Sequence, residues 1–271
     1  MTLNLDARQR AILMEMGVRV WSPPSAVPTA AVPAASTASP VLARPPAPTE
    51  PTSLPVTPAR AAKPVSLSAL PVGLENMDWA ALQNAAAACQ ACGLSEGRQH
   101  SVFAQRILRD GETVPWLIVG DAPTQAEDQA GQAFVGDEGV LLDAMLQALG
   151  VSRLGADSAV MVTSAVKCHP PDSRNPAPEE MAHCQAYLKR QIALLKPQVV
   201  LAMGRFAAQT LLHDSLGEGA SQPLGKLRGQ VHAAHGTQVV VSYHPTYLLR
   251  SPSDKAKAWA DLCLAKSLVD V

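Results

Sequence analysis

The sequence predicts an α/β fold in which helices cover both faces of a mainly parallel, four-stranded sheet. Four short apolar runs after residue 76 are typical of buried strands, and segments with helical periodicity lie between them. A helix between two strands of one sheet returns the chain to the starting end, so the two strands run parallel. Such crossover connections are right-handed. Strands that are apolar throughout indicate a sheet buried on both faces.

The first 75 residues are predicted to lie outside this fold. Residues 1–21 contain a short amphipathic helix whose apolar positions recur at helical spacing; they are Ala7, Ile12, Leu13 and Met16. Residues 22–75 form a Pro/Ala-rich linker, because thirteen of the 23 prolines lie between Pro23 and Pro71. Such a segment has few large apolar side chains to bury, so it cannot recover the entropy of ordering. We expect a disordered or partly polyproline tether, followed by one domain over residues 76–271.

Strands and helices alternate along the predicted domain. The strands are expected at Trp116–Val119, Ala159–Thr163, Val199–Met203 and Val239–Ser242. The helices are expected at 139–149, 178–195, 205–213 and 254–267. Pro178 is a favourable helix start, since proline lacks a donor and the two acids after it suit the positive end of the helix dipole. Because ligands of such folds bind at the carboxyl ends of strands, we expect the site among the residues that follow the strands.

Composition and charge exclude several classes of protein. The formal net charge is −1, from 22 Lys and Arg against 23 Asp and Glu, which excludes a globally basic, histone-like nucleic-acid binder. The sequence has no apolar run long enough to span a membrane, and its first residues lack the apolar core of a signal peptide. Five cysteines, an odd number, do not suggest a secreted disulfide scaffold. We therefore expect a cytoplasmic protein.

Four of the five cysteines have a spacing compatible with a metal site. Cys89 and Cys92 form a CxxC pair, Cys168 follows after 75 residues, and Cys184 follows after a further 15. Four thiolates suit either zinc or an iron–sulfur cluster, and the spacing alone does not choose between them. The alternative is four small buried apolar residues. Cys263 lies in a helical pattern and is most simply a core residue.

The segment after the first strand combines acids, glycines and one aromatic residue. Residues 110–143 contain eight acids and no Lys or Arg. Gly120, Asp121 and Ala122 follow one another at the strand end, and Phe134 lies further on in a glycine loop. A carboxylate at a strand end can orient or activate water, and an aromatic ring can stack on a base. Phe134 is hard to explain as a core residue here, so we predict a loop shaped around a flat ligand.

His244 follows the fourth strand, and Pro245 fixes the turn after it. A histidine at the carboxyl end of a parallel strand is a candidate catalyst, although a satisfied core or surface histidine is the common alternative. Residues 222–257 contain one acid, Asp254, and five basic residues, namely Lys226, Arg228, Arg250, Lys255 and Lys257. This basic stripe predicts phosphate binding beside the acidic segment.

Together these segments resemble the type 4 (iron–sulfur) uracil-DNA glycosylases. The resemblance rests on GDAPTQAEDQAGQAFVG, VKCHPPDSRNPAPEEMAHC and VSYHPTYLLR, together with the upstream CQAC. It covers nearly everything from residue 78 to residue 267 and leaves out the linker. It implies a three-layer α/β/α sandwich, DNA as the partner, and a structural [4Fe–4S] cluster. The cluster ligands implied are Cys89, Cys92, Cys168 and Cys184. We expect a monomer, since excising one flipped base requires no symmetry.

The resemblance also implies a mechanism and roles for the candidate residues. The enzyme would flip a deoxyuridine out of DNA and hydrolyse the bond from base to sugar. His244 would donate to the developing oxyanion on uracil, and Asp121 would place water or stabilise the cation-like sugar. The implied substrate-binding residues are Gly120, Ala122, Phe134, which stacks on the base, and Ser164. The implied DNA-binding residues are Leu248 or Leu249, which would fill the gap in the base stack, and Arg250, which would hold a phosphate.

The sequence departs from the family pattern at four positions. Asp121 replaces a glutamate, so its carboxylate can stop about 1 Å short, and such a misplacement can cost on the order of 100-fold in rate. Thr124 replaces a glycine that would allow close approach to the ligand. Ser164 replaces an asparagine that offers a donor and an acceptor together, which should weaken discrimination of uracil from cytosine. His169 replaces a more usual arginine and weakens a phosphate contact.

Two other functions fit part of the pattern. A glycosylase-fold protein that has lost catalysis and acts as a DNA-binding damage sensor would explain Asp121 and Ser164, whereas Phe134 and His244 argue for catalysis. A zinc-stabilised nucleotide-binding module would explain the cysteines and the α/β pattern but not the loops around Phe134 and His244.

Overall fold

The computed structural model describes residues 69–104, 112–155 and 158–269. The predicted helix over residues 1–21, and the predicted linker as far as residue 68, lie outside the described residues. The chain divides into a unit over Met1–Pro58, also outside them, and a unit over Ala59–Val271. Within the described ranges, no helix is long and apolar enough to cross a membrane.

Five strands form one sheet in the order β2-β1-β3-β5-β4. They are β1 (Trp116–Gly120), β2 (Val160–Ser164), β3 (Val199–Met203), β4 (Val231–Ala234) and β5 (Thr237–Ser242). All pairs are parallel except β4 with β5, which form an antiparallel hairpin at the edge. The predicted α/β class is confirmed, and the predicted count of four strands missed β4. This edge strand is mostly exposed, so its sequence, VHAA, carries no apolar run.

The described ranges contain eight α-helices. They are α1 (Trp79–Ala88), α2 (Gln125–Ala130), α3 (Asp137–Ala148), α4 (Pro178–Leu195), α5 (Arg205–Leu216), α6 (Leu224–Leu227), α7 (Pro245–Arg250) and α8 (Lys255–Ser267). The four predicted helices correspond to α3, α4, α5 and α8. Of the four that were not predicted, α2, α6 and α7 are too short for a helical apolar period to be recognised.

Alternate residues of the strands pack on opposite faces of the sheet and form two cores. Leu117 and Val119 of β1 face a core that includes residues of α1, α4 and α5. Trp116 and Ile118 face a second core that includes residues of α3 and α8. The predicted strands contain uninterrupted apolar runs because both faces of the sheet are covered. The result is the expected three-layer arrangement.

The strand order places the predicted site residues at one edge of the sheet. β2 and β3 lie on opposite sides of β1. The connection from β1 therefore runs to one side and the connection into β3 runs to the other, which leaves a crevice at the carboxyl ends of the strands. Gly120, the last residue of β1, pairs with Ser164 of β2. Ser242, which ends β5, pairs with Met203 of β3. The residues that follow these strands therefore meet around the crevice.

Candidate active site

Asp121 points from the end of β1 to the beginning of α5. Its Oδ1 accepts a hydrogen bond from the backbone N–H of Ala207 at 2.9 Å. Burial raises the pKa of Asp121 to about 6, although the N–H groups of residues 205–207 and the charge of Arg205 act in the opposite direction. The carboxylate thus lies at the positive end of a helix dipole, in an environment that still favours its protonated form.

The Phe134 and His244 rings stack beside the backbone of Gly120. Their centroids are 5.2 Å apart and their planes differ by 20°. A Cβ atom on Gly120 would lie 2.8 Å from Cζ of Phe134 and 3.6 Å from Nε2 of His244. A side chain at this position would therefore clash with the Phe134 ring, whereas the His244 ring would lie at ordinary contact distance.

Phe134 is buried, with only 2% of its surface exposed, and belongs to the core on the α3 side of the sheet. The expectation that it would not be a core residue is therefore wrong for the free protein. Its φ of +56° is unusual for a large side chain, and local contacts hold that conformation. Its N–H donates to Glu127 Oε1, and its carbonyl accepts from Arg153 Nη2 at 3.1 Å. A ligand can contact the ring only after neighbouring side chains move.

His244 is held as a neutral imidazole with its proton on Nε2. Its Nδ1 accepts from the backbone N–H of Thr246 at 3.3 Å, which assigns the proton to the other nitrogen. Burial lowers the pKa of His244 to about 4. Nε2 is the atom that faces Gly120. The side chain is therefore a neutral donor at neutral pH, which suits an oxygen that becomes negative during a reaction.

Ser164 is buried at the end of β2, next to Gly120. Its carbonyl oxygen accepts from Nζ of Lys167 at 2.7 Å, and the same ammonium donates to Oγ1 of Thr163 at 2.7 Å. Burial lowers the pKa of Lys167 to about 8. The turn that carries Ser164 is thus fixed by a buried lysine that the sequence analysis did not single out.

Thr124 and Glu127 explain one departure from the family pattern. Thr124 has a φ of −79° and caps α2, and its side chain accepts from the N–H of Glu127 at 3.3 Å. The Glu127 carboxylate returns a bond from the Thr124 N–H at 2.6 Å. This position needs no glycine freedom, because the chain has a helix-capping box here. The T-x-x-E pattern could have predicted α2 from the sequence.

Of the two leucines predicted to contact DNA, only one is accessible. Leu248 is 0% exposed, whereas Leu249 is 42% exposed on α7. The structure therefore excludes Leu248 as a wedge unless α7 unpacks, and it leaves Leu249 as the candidate. Arg250 is exposed beside Leu249, with its Nε 3.4 Å from the carbonyl of Thr246.

The predicted basic stripe is partly used for internal contacts. Arg228 is paired with the buried Asp261 at 2.6 Å, and its guanidinium lies 4.2 Å from the Tyr243 ring centroid. Lys257 pairs with Asp254 at 2.8 Å. Arg228 therefore supports the residue before His244 instead of facing a phosphate, which corrects part of the stripe prediction. No local sequence pattern indicates that Asp261 is the partner of Arg228.

The four predicted metal-ligating cysteines line a single cavity between the end of α1, the Lys167 turn and α4. Cys92, Cys168 and Cys184 are buried, and Cys89 is partly exposed. Burial raises the pKa of Cys184 to about 12 and also raises the pKa of Cys92 and Cys168. Cys263 is exposed on α8, so its interpretation as a core residue is wrong.

Two N–H groups already point at the sulfur atoms of this cavity. Nη1 of Arg98 lies 3.3 Å from Sγ of Cys168, and the backbone N–H of Lys167 lies 3.2 Å from Sγ of Cys184. Among the described residues, no group of three or more His, Cys, Asp or Glu forms a site for a single metal ion. The cavity is lined by four cysteines and by His183, and two cationic side chains, Arg98 and Lys167, lie beside the thiols. These features fit a group that binds thiolates and carries negative charge.

A model of the Uracil DNA glycosylase superfamily matches residues 109–263. The chain belongs to the uracil-DNA glycosylase superfamily. It is 35% identical over 192 residues to a type-4 uracil-DNA glycosylase of Pyrobaculum aerophilum, covering 69% of this chain and 93% of that protein. A type-4 uracil-DNA glycosylase of Thermotoga maritima is 34% identical, over 67% of this chain and 89% of its own length. A type-5 uracil-DNA glycosylase of Pyrobaculum aerophilum is 34% identical over 49% of this chain.

This glycosylase membership confirms the family that the motifs indicated. It also gives the crevice a context, because the matched region contains β1 to β5 and most of α8. The roles of the individual residues stay predictions. Ala122 lies beside Asp121 and packs against the buried residues around the cysteines, so the two sites of this glycosylase fold are in contact.

Proposed function

We propose that the protein hydrolyses the N-glycosidic bond of deoxyuridine in DNA, releasing uracil and leaving an abasic site. The observation that carries this proposal is the neutral His244, which presents Nε2–H beside Phe134 and the end of β1. The type-4 glycosylase relatives support the choice of uracil in DNA as substrate. DNA is the partner, and one copy of the chain supplies every residue of the site.

The reaction begins with a flipped deoxyuridine, at an unstacking cost of a few kcal/mol. Phe134 stacks on the base after the neighbouring side chains that bury its ring have moved. The bond between C1′ and the base breaks, and its electron pair moves onto uracil. His244 donates a hydrogen bond from Nε2 to the uracil oxygen that becomes negative. Because the imidazole is neutral, it donates this hydrogen bond without giving up its proton before the base departs.

Asp121 acts on the sugar side of the same bond. Its carboxylate stabilises the cation-like sugar and orients the water that attacks C1′. The water oxygen forms the new bond to C1′, and its proton passes to the carboxylate or to solvent. Since Asp121 also accepts a bond from the N–H of Ala207, only part of its charge is available to the sugar. Ser164 contacts the edge of the base.

Leu249 and Arg250 act on the DNA itself. Leu249 is exposed on α7, five residues after His244, and fills the gap that the flipped base leaves. Arg250 holds a flanking phosphate. Neither residue touches the reacting bond, so their loss should weaken DNA binding more than chemistry.

A [4Fe–4S] cluster on Cys89, Cys92, Cys168 and Cys184 completes the proposal. The cluster would cross-link the end of α1, the turn after β2 and the first part of α4. Because the buried thiols have raised pKa values, they must release protons when they bind iron. Purified protein should be brown with broad absorbance near 400 nm and contain iron. Colourless protein with stoichiometric zinc would contradict this assignment.

Incubation with a uracil-containing oligonucleotide, single- and double-stranded, tests the activity. Alkali-labile abasic sites should form with the wild-type protein. His244→Ala should lose at least about 100-fold in rate because it removes a transition-state donor, yet bind DNA as before. DNA binding without any cleavage by the wild-type protein would favour the non-catalytic, damage-sensing function.

A further inference from the structure

Residues 98–103, which follow the CxxC pair, contact the cysteine cavity at one end and the active-site strand at the other. The N–H of Val102 donates to the carbonyl of Lys167 at 2.8 Å. The carbonyl of Phe103 accepts from Oγ1 of Thr163 at 2.6 Å, directly before Ser164. This bridging segment (residues 98–103) therefore runs alongside the turn that joins β2 to Cys168.

Arg98 fixes the bridging segment to the cysteine cavity. Its Nη1 lies 3.3 Å from Sγ of Cys168 and 3.2 Å from the carbonyl of Cys89. Its Nη2 donates to the carbonyl of Ala87 at 2.5 Å. One guanidinium thus contacts two of the four cysteines and the last turn of α1. A displacement of either cysteine therefore changes the hydrogen bonds of Arg98.

Asp128 fixes the next two residues of the bridging segment to α2. Its Oδ2 accepts from the N–H of Gln99 at 2.9 Å, and its Oδ1 lies 3.4 Å from the N–H of His100. The carbonyl of Asp128 lies 3.0 Å from Nδ1 of His100. The carboxylate is buried, with 4% of the residue exposed, so these bonds are shielded from water.

Glu127, the residue before Asp128, is directed to the base-stacking loop instead. Its two oxygens accept from the N–H groups of Thr124 and Phe134. Two consecutive buried acids on a six-residue helix therefore bind different segments. Glu127 binds the loop that carries Phe134, and Asp128 binds the segment that carries Arg98. Because Glu127 and Asp128 are adjacent on this short helix, a shift of the α2 backbone moves both carboxylates together.

We propose that Asp128 is a positioning residue that couples the cysteine site to the base-stacking loop of Phe134. The proposal rests on the proposed function, both for uracil excision and for the cluster. Asp128 touches neither substrate nor cysteine; it acts through Gln99 and His100 on one side and through α2 on the other. A bound cluster then stabilises the conformation of the loop that receives uracil, and bound uracil stabilises the cysteine site by the same free energy.

Iron release tests this coupling, because it is measured at the cysteine site and not at the base. Asp128→Asn removes the charge with little change of shape, and Gln129→Ala, at an exposed residue of the same helix, is the matched control. Each iron-loaded protein is mixed with a chelator, with and without an oligonucleotide containing 2′-fluoro-2′-deoxyuridine. Fluorine at this position destabilises the cation-like sugar, so the ligand is not cleaved. A thymidine oligonucleotide gives the baseline.

The uracil analogue should slow iron loss by about fivefold in the wild-type protein and in Gln129→Ala. In Asp128→Asn the protection should disappear, and kcat/KM for uracil excision should fall about tenfold. A variant that is merely less stable would lose iron faster with and without the oligonucleotide, so the ratio would persist. A wild-type ratio in Asp128→Asn, or no protection in the wild-type protein, overturns the coupling.

Hydrogen exchange at the Phe134 amide gives a second readout that requires neither iron nor turnover. Asp128→Asn should raise this exchange rate relative to Gln129→Ala, because the loop loses one of its supports. Equal rates in the two variants contradict the proposal. Failure of the proposed function has a different signature, namely wild-type protein that contains no iron or excises no uracil.

Discussion

Asp121 is a single residue whose negative charge lowers the stability of the folded protein. Its pKa is raised from 3.8 to about 6, so folding favours the protonated form. The stabilising contribution of this residue is complete below its unfolded pKa and is lost as the pH rises through about 6. At neutral pH the charged carboxylate therefore costs stability and is retained for another reason.

Asp121→Asn should stabilise the fold at pH 8 by up to about 3 kcal/mol and should abolish most uracil excision. Asparagine keeps an acceptor for the Ala207 N–H but carries no charge. The gain should vanish near pH 4, where the wild-type residue is protonated. Urea unfolding of both proteins at the two pH values measures it, and an equal difference at both would contradict the account.

His244 and Asp121 together predict the pH dependence of the activity. The pKa of His244 is lowered from 6.5 to about 4, so its imidazole stays neutral across the physiological range. The acid limb of kcat/KM should therefore follow Asp121, with a midpoint near pH 6. Rates at closely spaced pH values test this. Activity that rises only above pH 7 would show that another group controls the reaction.

Some residue positions were predictable from the sequence and others were not. Asp121 and His244 follow apolar runs, and parallel strands bring such residues to one edge. The burial of Phe134 was not predictable, because it depends on Gly120 and on the positive φ that Glu127 and Arg153 support. Cys263 was misassigned since its helix, α8, has small and charged residues on more than one side.

Among the elements, α5 depends on the short contact between Gly204 and Asp121. Gly204 precedes α5 with a φ of +113°, and a Cβ atom there would meet the Asp121 carboxylate. The helix has no side-chain cap of its own, and the carboxylate from β1 takes that role. A strand end and a helix start thus support each other across the crevice.

Gly204→Ala should lower the free energy of unfolding by about 2 kcal/mol or more, since alanine is strained at that φ and displaces Asp121. Gly225→Ala is the matched control, because a Cβ there meets nothing within 4 Å. Chemical denaturation compares the two. If they were equally stable, the close packing of Asp121 on Gly204 would not be a feature of the protein in solution.

Elements with strong periodicity or long apolar runs were predictable, and short or one-sided elements were not. The strands β1, β2, β3 and β5 each contain a run of three or more apolar residues, because these positions are covered on both faces. The edge strand β4 carries no such signal, and α2 is specified by its capping box rather than by a period. The position of an edge strand such as β4 depends on the strand that it pairs with, and the hydrophobic pattern of its own residues does not contain that information.

For the whole molecule, the cysteine site should contribute substantially to stability. The four cysteines that we propose as cluster ligands come from three separate segments, so a bound cluster would close long loops in the unfolded chain. Cys184→Ser should lose iron and lower the thermal midpoint by several degrees, whereas Cys263→Ser, at an exposed cysteine, should change neither. Calorimetry with iron analysis measures both. Equal midpoints in the two variants would limit the cluster to a local role.

The sheet order has a consequence for the newly made chain. β5 inserts between β3 and the late edge strand β4, and it brings His244 to the crevice only when nearly the whole domain has left the ribosome. Until then Phe134 lacks the His244 ring that stacks on it. A partly synthesised copy without β5 therefore lacks His244, which we propose as the donor to the departing base. On that proposal, the protein gains catalytic competence only once β5 has joined the sheet.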